Sequence, residues 1–371
     1  MRILHFILGK ANPNRANGVN QVIHGLVKYQ IREGHEVHVI GISQSMNVPY
    51  EKIQRECFEV ECFKEFNAKS FTYIKEIVQK VDIVHMHGVW NKKNVVLGRY
   101  LEKIKKPYVM TAHCGYAIDR MKQSNYLLKL LFHRVWQKRL YEHAGGIHAL
   151  TREESTDIAA FCKNNNIFVV SNGVDPDIFD KYQYQVHEKR KKIKLGYLGR
   201  ISVEKNIDNL IRAIALLPDE IKNVVELSLI GPINSNVNKL KDLARNLRVE
   251  DNLIFVGAKY AEEKIETLLD LDVYIHPAYS DVVGIAVMEA FALGLPVIVT
   301  RTSHMSYFYQ SKAFIMVEPS AQDLCRGIVE VFNRREEWGE FSYRAKAIYY
   351  NTFNWKSAVE QLVIEYQKII K

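Results

Sequence analysis

Short apolar runs alternate with stretches of helical period along almost the whole chain. In the first half, RILHFIL (2–8), EVHVIGI (36–42), DIVHMHG (82–88), PYVMTAH (107–113), GGIHAL (145–150) and NIFVVSN (166–172) read as strands. Between them lie patterns such as Val19–Glu33 and Tyr126–Tyr141, with apolar residues three or four apart, the spacing of one helix face. Apolar strands separated by helices predict βαβ units and a parallel sheet. After Asn172 the series restarts with KIKLGYLGR (192–200), VELSLIG (225–231), NLIFVG (252–257), DVYIHPA (272–278), PVIVT (296–300) and AFIMVEP (313–319). Two Rossmann-like α/β domains in tandem are therefore expected, residues 1–172 and 192–354, joined by a polar, charged linker at 173–191. The final stretch, 355–371, has apolar residues at 358, 362, 363, 366, 369 and 370 and reads as an amphipathic helix packing back on the first domain.

A chain of 371 residues with 47% hydrophobic content is long and apolar enough for two cores. Its five cysteines, at 57, 62, 114, 162 and 325, form no C-x-x-C pair, which points to a reducing cytoplasm. The start, MRILHFILGKANP, is too short and too soon polar for a signal peptide. The run 282–299 is interrupted by Glu289 and by Gly294-Leu295-Pro296, so it reads as helix, turn and strand instead of a membrane span. The net charge of +9 is uneven: residues 1–170 hold 25 Lys and Arg against 15 Asp and Glu, residues 171–371 hold 26 against 27. A nucleic acid, an anionic membrane or an anionic substrate would each suit that basic half, but it lacks the aromatic-basic signatures of RNA binding. The segment NYLLKLLFHRVWQKRLYEH (125–143), with Lys129, Arg134, Lys138 and Arg139, is either a surface for anionic lipid or an ordinary helix packed on the first sheet.

Open α/β sheets bind ligands at the carboxyl ends of their strands. Candidate residues follow the strands closely: Asn17 and Gly18 in the loop NPNRANGVNQ (12–21), His85 and His87, His113, then GRISVEKN (199–206) and PAYSDVVG (277–284). Arg200 and Lys205, separated by a strand end and a turn, can converge on one anion, most naturally a pyrophosphate. The alternative is a surface pair in which Lys205 matches Glu204. In SDVVGIAVMEAFALGLPVIVT (280–300), Glu289 lies within an apolar helix, where an acid is costly without a partner. The helix N-terminus near Val283–Ile285 offers free amides for an anion. Glu289 leans back toward that end, so it and Asp281 can both meet one ligand, through its hydroxyls. Against this stand a helix-cap role for Asp281 and an ion pair for Glu289. His113 is either catalytic or structural. His85 and His87 point to one face of a strand, but a metal site needs a third ligand and none is evident. The triplets DPD (175–177) and DLD (270–272) fall in the linker and at a buried strand, so no metal is expected. No G-x-G-x-x-G, Walker loop, H-E-x-x-H or nucleophile elbow occurs.

In order along the chain, these motifs resemble the retaining glycosyltransferases related to sucrose-phosphate synthase and the bacterial polysaccharide mannosyl- and glucosyltransferases (glycosyl transferases group 1). NGVNQVIHGLVKYQIREGHEVHVI is similar to that family's glycine loop, first helix and GHEV entry. DIVHMHG, TAH, SNGVDPDIF, GRISVEKN, DVYIHPAYSDVVGIAVMEAFALGLPVI and FNWKSAVEQLVIEY follow in the family's order. The resemblance implies the GT-B fold, two Rossmann-like domains facing each other across a cleft. It implies that Arg200 and Lys205 hold the donor diphosphate and Glu289 the ribose hydroxyls. Asp281 would stand near the donor sugar in place of the family's first glutamate, and the amides of Val283, Gly284 and Ile285 would reach sugar and phosphate. His113 would contact the donor sugar near its anomeric carbon, and Gly18, after Asn17, would let its loop approach phosphate and acceptor. Val282-Val283-Gly284 replaces the family's Gly-Phe-Gly, and Asn17-Gly18 its glycine pair. The implied activity is metal-independent, cofactor-free transfer of a sugar, with retention, from a UDP- or GDP-sugar. The acceptor would be a glycan or lipid-linked saccharide of the bacterial cell surface, and the enzyme cytoplasmic or peripheral on the membrane's inner face. An epimerase of the same plan, or a non-catalytic nucleotide or nucleic-acid binder, are the competing readings.

Overall fold

The computed structural model describes residues 1–12, 18–117, 121–122, 125–187 and 190–371. The chain divides into two compact units, Met1–Gly173 with Trp355–Lys371, and Val174–Asn354.

The first unit is built on strands β1 (Arg2–Ile7), β2 (Glu36–Ile42), β3 (Tyr50–Gln54), β4 (Glu59–Phe63), β5 (Ile83–His87), β6 (Tyr108–Thr111), β7 (Gly146–Ala149) and β8 (Ile167–Val169). They form one sheet in the order β3-β4-β2-β1-β5-β6-β7-β8, parallel except for β3, which runs antiparallel to β4. The sequence pattern did not anticipate β3 and β4. β3, YEKIQ, is an exposed edge strand, so it lacks the continuous apolar run that marks a strand covered on both faces. Helices Gly18–Arg32, Ala68–Lys80 and Lys92–Lys103 fill most of the crossovers. The last helix, Trp355–Ile370, belongs to this unit: a Cβ on Gly25 would lie 2.1 Å from Trp355 Nε1, and one on Gly145 2.4 Å from Ile369. Only glycine at those two places lets the helix lie so close.

Residues 126–142 are helical throughout, with a π-helical turn at His133–Gln137. The turn buries His133 and Gln137. His133 Nδ1 pairs with the Tyr116 hydroxyl at 3.1 Å, and Gln137 Oε1 accepts the Trp90 amide at 2.7 Å. The opposite side, with Leu127, Leu128, Leu131 and Val135, is exposed.

The second unit carries β9 (Ile193–Leu198), β10 (Val225–Ile230), β11 (Leu253–Gly257), β12 (Val273–His276), β13 (Val297–Thr300) and β14 (Phe314–Val317). All are parallel, in the order β11-β10-β9-β12-β13-β14. The segment read as a linker, 173–191, falls within this unit from Val174 onward. Val174 bridges to Asn354, Asp175 caps the short helix Pro176–Phe179, and Phe179 and Tyr184 are buried in the core around Phe291. The strand order reverses between β1 and β5 in the first sheet and between β9 and β12 in the second. Those reversals open a crevice at the carboxyl ends of the strands, where such sheets take ligands.

Candidate functional site

At the reversal in the second sheet, β9 runs into Gly199 and Arg200, and β12 into Pro277 and the loop bearing Asp281. Lys205 and Asp281 form a close ion pair. The same carboxylate oxygen, Oδ2, accepts from His276 Nε2 at 3.0 Å, and Oδ1 accepts the Val282 amide at 3.0 Å. Burial alone would raise the pKa of Asp281; the His276 hydrogen bond and the Lys205 charge outweigh it and hold the carboxyl below the usual range. Burial lowers the pKa of His276, partly countered by Asp281. Gly284 closes the cluster: a Cβ there would lie 2.8 Å from His276 Cε1 and 3.1 Å from Asp281 Oδ2. Asn206, held in the left-handed region at φ 59°, clips the strand ends together by donating to the Pro277 and Pro319 carbonyls at 2.8 and 2.9 Å.

Asp281 is therefore not the helix cap; Gly284 occupies that position ahead of Ile285–Leu293. Lys205 pairs with Asp281 and not with Glu204, which instead takes Arg200 Nη2 at 3.2 Å. Glu204 lies within electrostatic reach of both cations. Of the three amides assigned to the ligand, that of Val283 is already engaged, donating to the Ser303 carbonyl at 3.2 Å. The residue is forced to φ 34°, a conformation costly for a β-branched side chain, and the bend turns its N–H toward Ser303. The amides of Gly284 and Ile285 donate to no other group among the described residues, which leaves them as the anion-facing pair. Glu289 is buried and does have an ion-pair partner, Lys264 on helix Ala261–Leu269. It makes no contact with Asp281, although the buried Tyr274 hydroxyl feels both carboxylates. Two functional candidates escaped the sequence reading. His276 carried a signal, as the last residue of a strand; Lys264 carried none.

Asp175, Asp270 and Asp272 of the Asp-x-Asp triplets have partners within the protein. Asp270 pairs with Arg190 and Lys194, Asp272 accepts the Lys194 amide at 2.8 Å, and Asp175 accepts the Asp177 amide at 3.0 Å.

In the first unit, His113 follows β6 with φ 48°, and Cys114 follows it with φ 64°. Two successive left-handed residues without glycine are strained. The buried carboxylate of Glu154 holds them, accepting the Cys114 amide at 2.6 Å and the Leu150 amide at 2.7 Å. His87, Thr111, His113 and His148 line one pocket, faced by Trp355 and Leu362 of the last helix. Behind it the histidines are linked: His113 Nε2 to His87 Nδ1 at 3.0 Å, His87 Nε2 to His5 Nδ1 at 2.9 Å, and His5 Nε2 to Gln30 Oε1 at 2.8 Å. Contrary to the sequence reading, His85 and His87 do have a third histidine: ligand atoms of His5, His85 and His87 lie within 4.8 Å of one another. Yet both ring nitrogens of each already hold a hydrogen bond inside the protein. No carboxylate joins the trio among the described residues. Asn17 lies outside the described residues; Gly18 opens the first helix.

Two Rossmann-like units, each with polar groups gathered at the reversal of its strand order, define a glycosyltransferase of the GT-B class. The sequence profile of glycosyl transferases group 1 matches residues 179–348, and that of glycosyltransferase family 4 matches residues 16–178. The D-inositol 3-phosphate glycosyltransferase of Corynebacterium aurimucosum is 25% identical over 335 residues, 85% of this chain and 78% of that one. Sucrose-phosphate synthase from Thermosynechococcus elongatus has the same fold, with a TM-score of 0.79 and 15% identity over 100% of this chain and 99% of that one. Anabaena Alr3699/HepE in complex with UDP-glucose gives 0.74 and 18% over 99% of this chain and 100% of that one. The chain belongs to the glycosyl transferases group 1 family.

Proposed function

We propose that the enzyme moves a hexosyl group, with retention and without a divalent metal, from a UDP- or GDP-sugar to a hydroxyl of a glycan or lipid-linked saccharide in bacterial cell-surface polysaccharide synthesis. The observation that carries this reading is the cluster of Lys205, Asp281 and His276 packed on Gly284, beside unengaged helix amides, at the strand reversal of the second sheet. Breaking the donor's anomeric bond builds negative charge on the leaving diphosphate. Lys205, Arg200 and the Gly284 and Ile285 amides meet that charge with directed donors; losing one such donor typically costs about 3–4 kcal/mol in the barrier. Lys264 leaves Glu289 with acceptor capacity for ribose hydroxyls, since a carboxylate accepts about four hydrogen bonds. The remaining lone pair of Asp281 Oδ1 is assigned to the sugar, and His113 to the sugar near its anomeric carbon. Displacement on the same face, with a donor phosphate oxygen taking the acceptor's proton, accounts for retention. That a relative of the same fold was solved with UDP-glucose supports the donor class.

The acceptor side is proposed to work at an anionic membrane surface. No helix among the described residues is long and apolar enough to cross a membrane. The exposed leucines of helix 126–142 sit beside exposed Arg134, Lys138 and Arg139, in the half of the chain that carries the positive excess.

A thermal-shift panel of UDP-, GDP- and ADP-sugars in EDTA tests the donor reading. One nucleotide class should raise the melting temperature. Glu289→Ala should abolish that shift, and His113→Ala should keep most of it while losing turnover. No shift from any sugar, or a shift only with added divalent metal, refutes the proposal.

A further inference from the structure

The inward groups of helix 126–142 form a chain of hydrogen bonds whose two ends fix the direction of every link. The Trp90 amide can only donate, so the Gln137 oxygen faces it, 2.7 Å away. The Gln137 nitrogen then donates to the Tyr116 hydroxyl at 2.9 Å. At the far end the Phe161 carbonyl can only accept, so His133 Nε2, 2.9 Å away, carries a proton. Burial lowers the pKa of His133. The neutral ring keeps a lone pair on Nδ1, and the Tyr116 hydroxyl donates to it at 3.1 Å. Turning the Gln137 amide round would set its nitrogen against the Trp90 N–H. Gln137, Tyr116 and His133 are all buried, and in each link a donor meets an acceptor, so the chain has a single arrangement.

The chain ends on a strained turn. Trp90 lies three residues beyond β5, at the reversal of strand order between β1 and β5, and its φ is 58°, a costly angle for a bulky side chain. Its indole Nε1 donates to the Gly115 carbonyl at 3.2 Å. A Cβ on Gly115 would lie 1.9 Å from Val89 Cγ2, so only glycine lets the two segments meet. The turn after β5 is thereby locked to the segment after β6 that carries His113. On the other side of the helix Leu127, Leu128, Leu131 and Val135 are exposed, and no residue of Tyr126–Phe132 is buried. Such a segment draws little stability from the core, so a surface that covers its leucines adds order to the whole helix, the π turn included. We propose that Gln137 is a positioning residue that links lipid contact to the ligand edge of the first sheet. An anionic membrane that seats the helix tightens the link from Gln137 to Trp90 and sets the turn 88–91 for the acceptor. Away from lipid that turn is held less firmly, which favours acceptor capture at the surface where a lipid-linked saccharide lies.

This inference rests on the membrane reading of the helix, and the test separates the two. Hydrogen-exchange mass spectrometry of the full chain, alone and on vesicles of equimolar phosphatidylcholine and phosphatidylglycerol, reads both ends of the link in one sample. In the parent, vesicles should slow exchange in 126–132 and in 88–91, each by at least about threefold, while Trp338–Thr352 of the second unit stays unchanged. Gln137→Met removes both side-chain hydrogen bonds and nearly keeps the volume. In that variant 126–132 should still slow, whereas 88–91 should exchange faster than in the parent and no longer respond to vesicles. Slowing of 126–132 without 88–91 in the parent overturns the proposal and leaves the membrane reading standing; it needs no variant, so a Gln137→Met chain that fails to fold cannot shelter the idea. A vesicle response of 88–91 that survives in Gln137→Met overturns it too, since another route then carries the coupling. If neither segment of the parent responds, the membrane reading fails and the coupling falls with it.

Discussion

The exposed face of helix 126–142 makes a quantitative prediction about membrane attachment. Leu127, Leu128, Leu131 and Val135 are 78%, 63%, 56% and 51% exposed. At 100° per residue, positions 127, 128 and 131 fall within a narrow arc, and 135 extends it across the π turn. Together they amount to about two and a half fully exposed aliphatic side chains, worth about 4–7 kcal/mol if all are taken out of water. Arg134, Lys138 and Arg139 would each add up to about 1 kcal/mol at an anionic surface. Two of them are discounted, because Lys138 faces Glu142 at 3.8 Å and Arg139 faces Glu102 at 3.1 Å. The double change Leu127→Ser/Leu128→Ser removes somewhat more than half of the apolar contribution, about 2–4 kcal/mol, so vesicle affinity should fall on the order of 30- to 1000-fold. Co-flotation with liposomes of mixed zwitterionic and anionic lipid measures this, with a thermal melt as control. The melt should move little, because exposed substitutions usually change stability by under about 0.5 kcal/mol. Raising the salt should weaken, but not abolish, parent binding, since only the cationic part is screened. A parent enzyme that stays in the aqueous fraction with anionic liposomes, or a double variant that floats as well as the parent, refutes the reasoning.

Three further outcomes follow from the site. Gly284→Ala should lower kcat/KM by roughly 10- to 100-fold, because its methyl would meet His276 Cε1 at 2.8 Å and push the helix N-terminus off the Asp281 cluster; steady-state kinetics with unchanged parameters would contradict this. Arg200→Ala should mainly raise the donor KM, whereas Lys205→Ala should lower kcat by about 10²–10³, the loss typical of one transition-state donor; equal effects on both parameters in both variants would dissolve the distinction. His5 and His148 have pKa values lowered to about 4 by burial, against about 6.5 in the unfolded chain. Between those values the unfolded state binds protons the folded state does not, so stability falls as pH drops from about 6.5 toward 4, by up to about 1.4 kcal/mol per pH unit for each histidine. Denaturant melts at pH 7 and 5 should differ by about 4 kcal/mol from these two groups alone, and superimposable curves would show that the histidines are not neutral in the fold.

The parallel strands were legible in the sequence because both faces of each are covered, leaving an apolar run with nothing polar to disguise it. β3 was not, because an exposed edge strand needs no continuous apolar run, and parallel β4 was not, because Glu59 and the buried Glu61 interrupt its short apolar pattern. The site divides along a similar line. Arg200, Lys205, Asp281 and His113 stood out as candidates because each lies in the segment that follows a strand, and strand ends are where ligands bind in such sheets. Their partners could not. Lys264 lies 25 positions from Glu289 on another helix, and His5 lies 82 positions from His87. The occupied Val283 amide is a different failure: its orientation depends on a backbone angle that a valine gives no reason to expect.

The charged groups of the second unit's site are already matched to one another before any donor arrives. Arg200 faces Glu204, Lys205 faces Asp281, and Lys264 faces Glu289. Among the described residues these three cations are balanced by three acids, so a diphosphate bound as proposed would be held by directed donors instead of by net charge. It also must draw cations away from their acids, and the pairs differ in how readily they yield. The Arg200–Glu204 pair is 55% and 35% exposed, and surface pairs of this kind are worth about 0–1 kcal/mol. In the proposed site Arg200 would therefore swing to a phosphate at almost no cost and contribute wherever the donor is bound. Lys205 and Asp281 are 15% and 21% exposed and share His276, so parting them leaves a carboxylate with less compensation. That exchange becomes favourable only against a strong, localised negative charge. The intact donor spreads its charge over the diphosphate, while the leaving group concentrates more of it as the anomeric bond breaks. On the proposed donor site, Lys205 would thus be held in reserve by Asp281 for the transition state, an interaction that lowers the barrier without deepening the ground state.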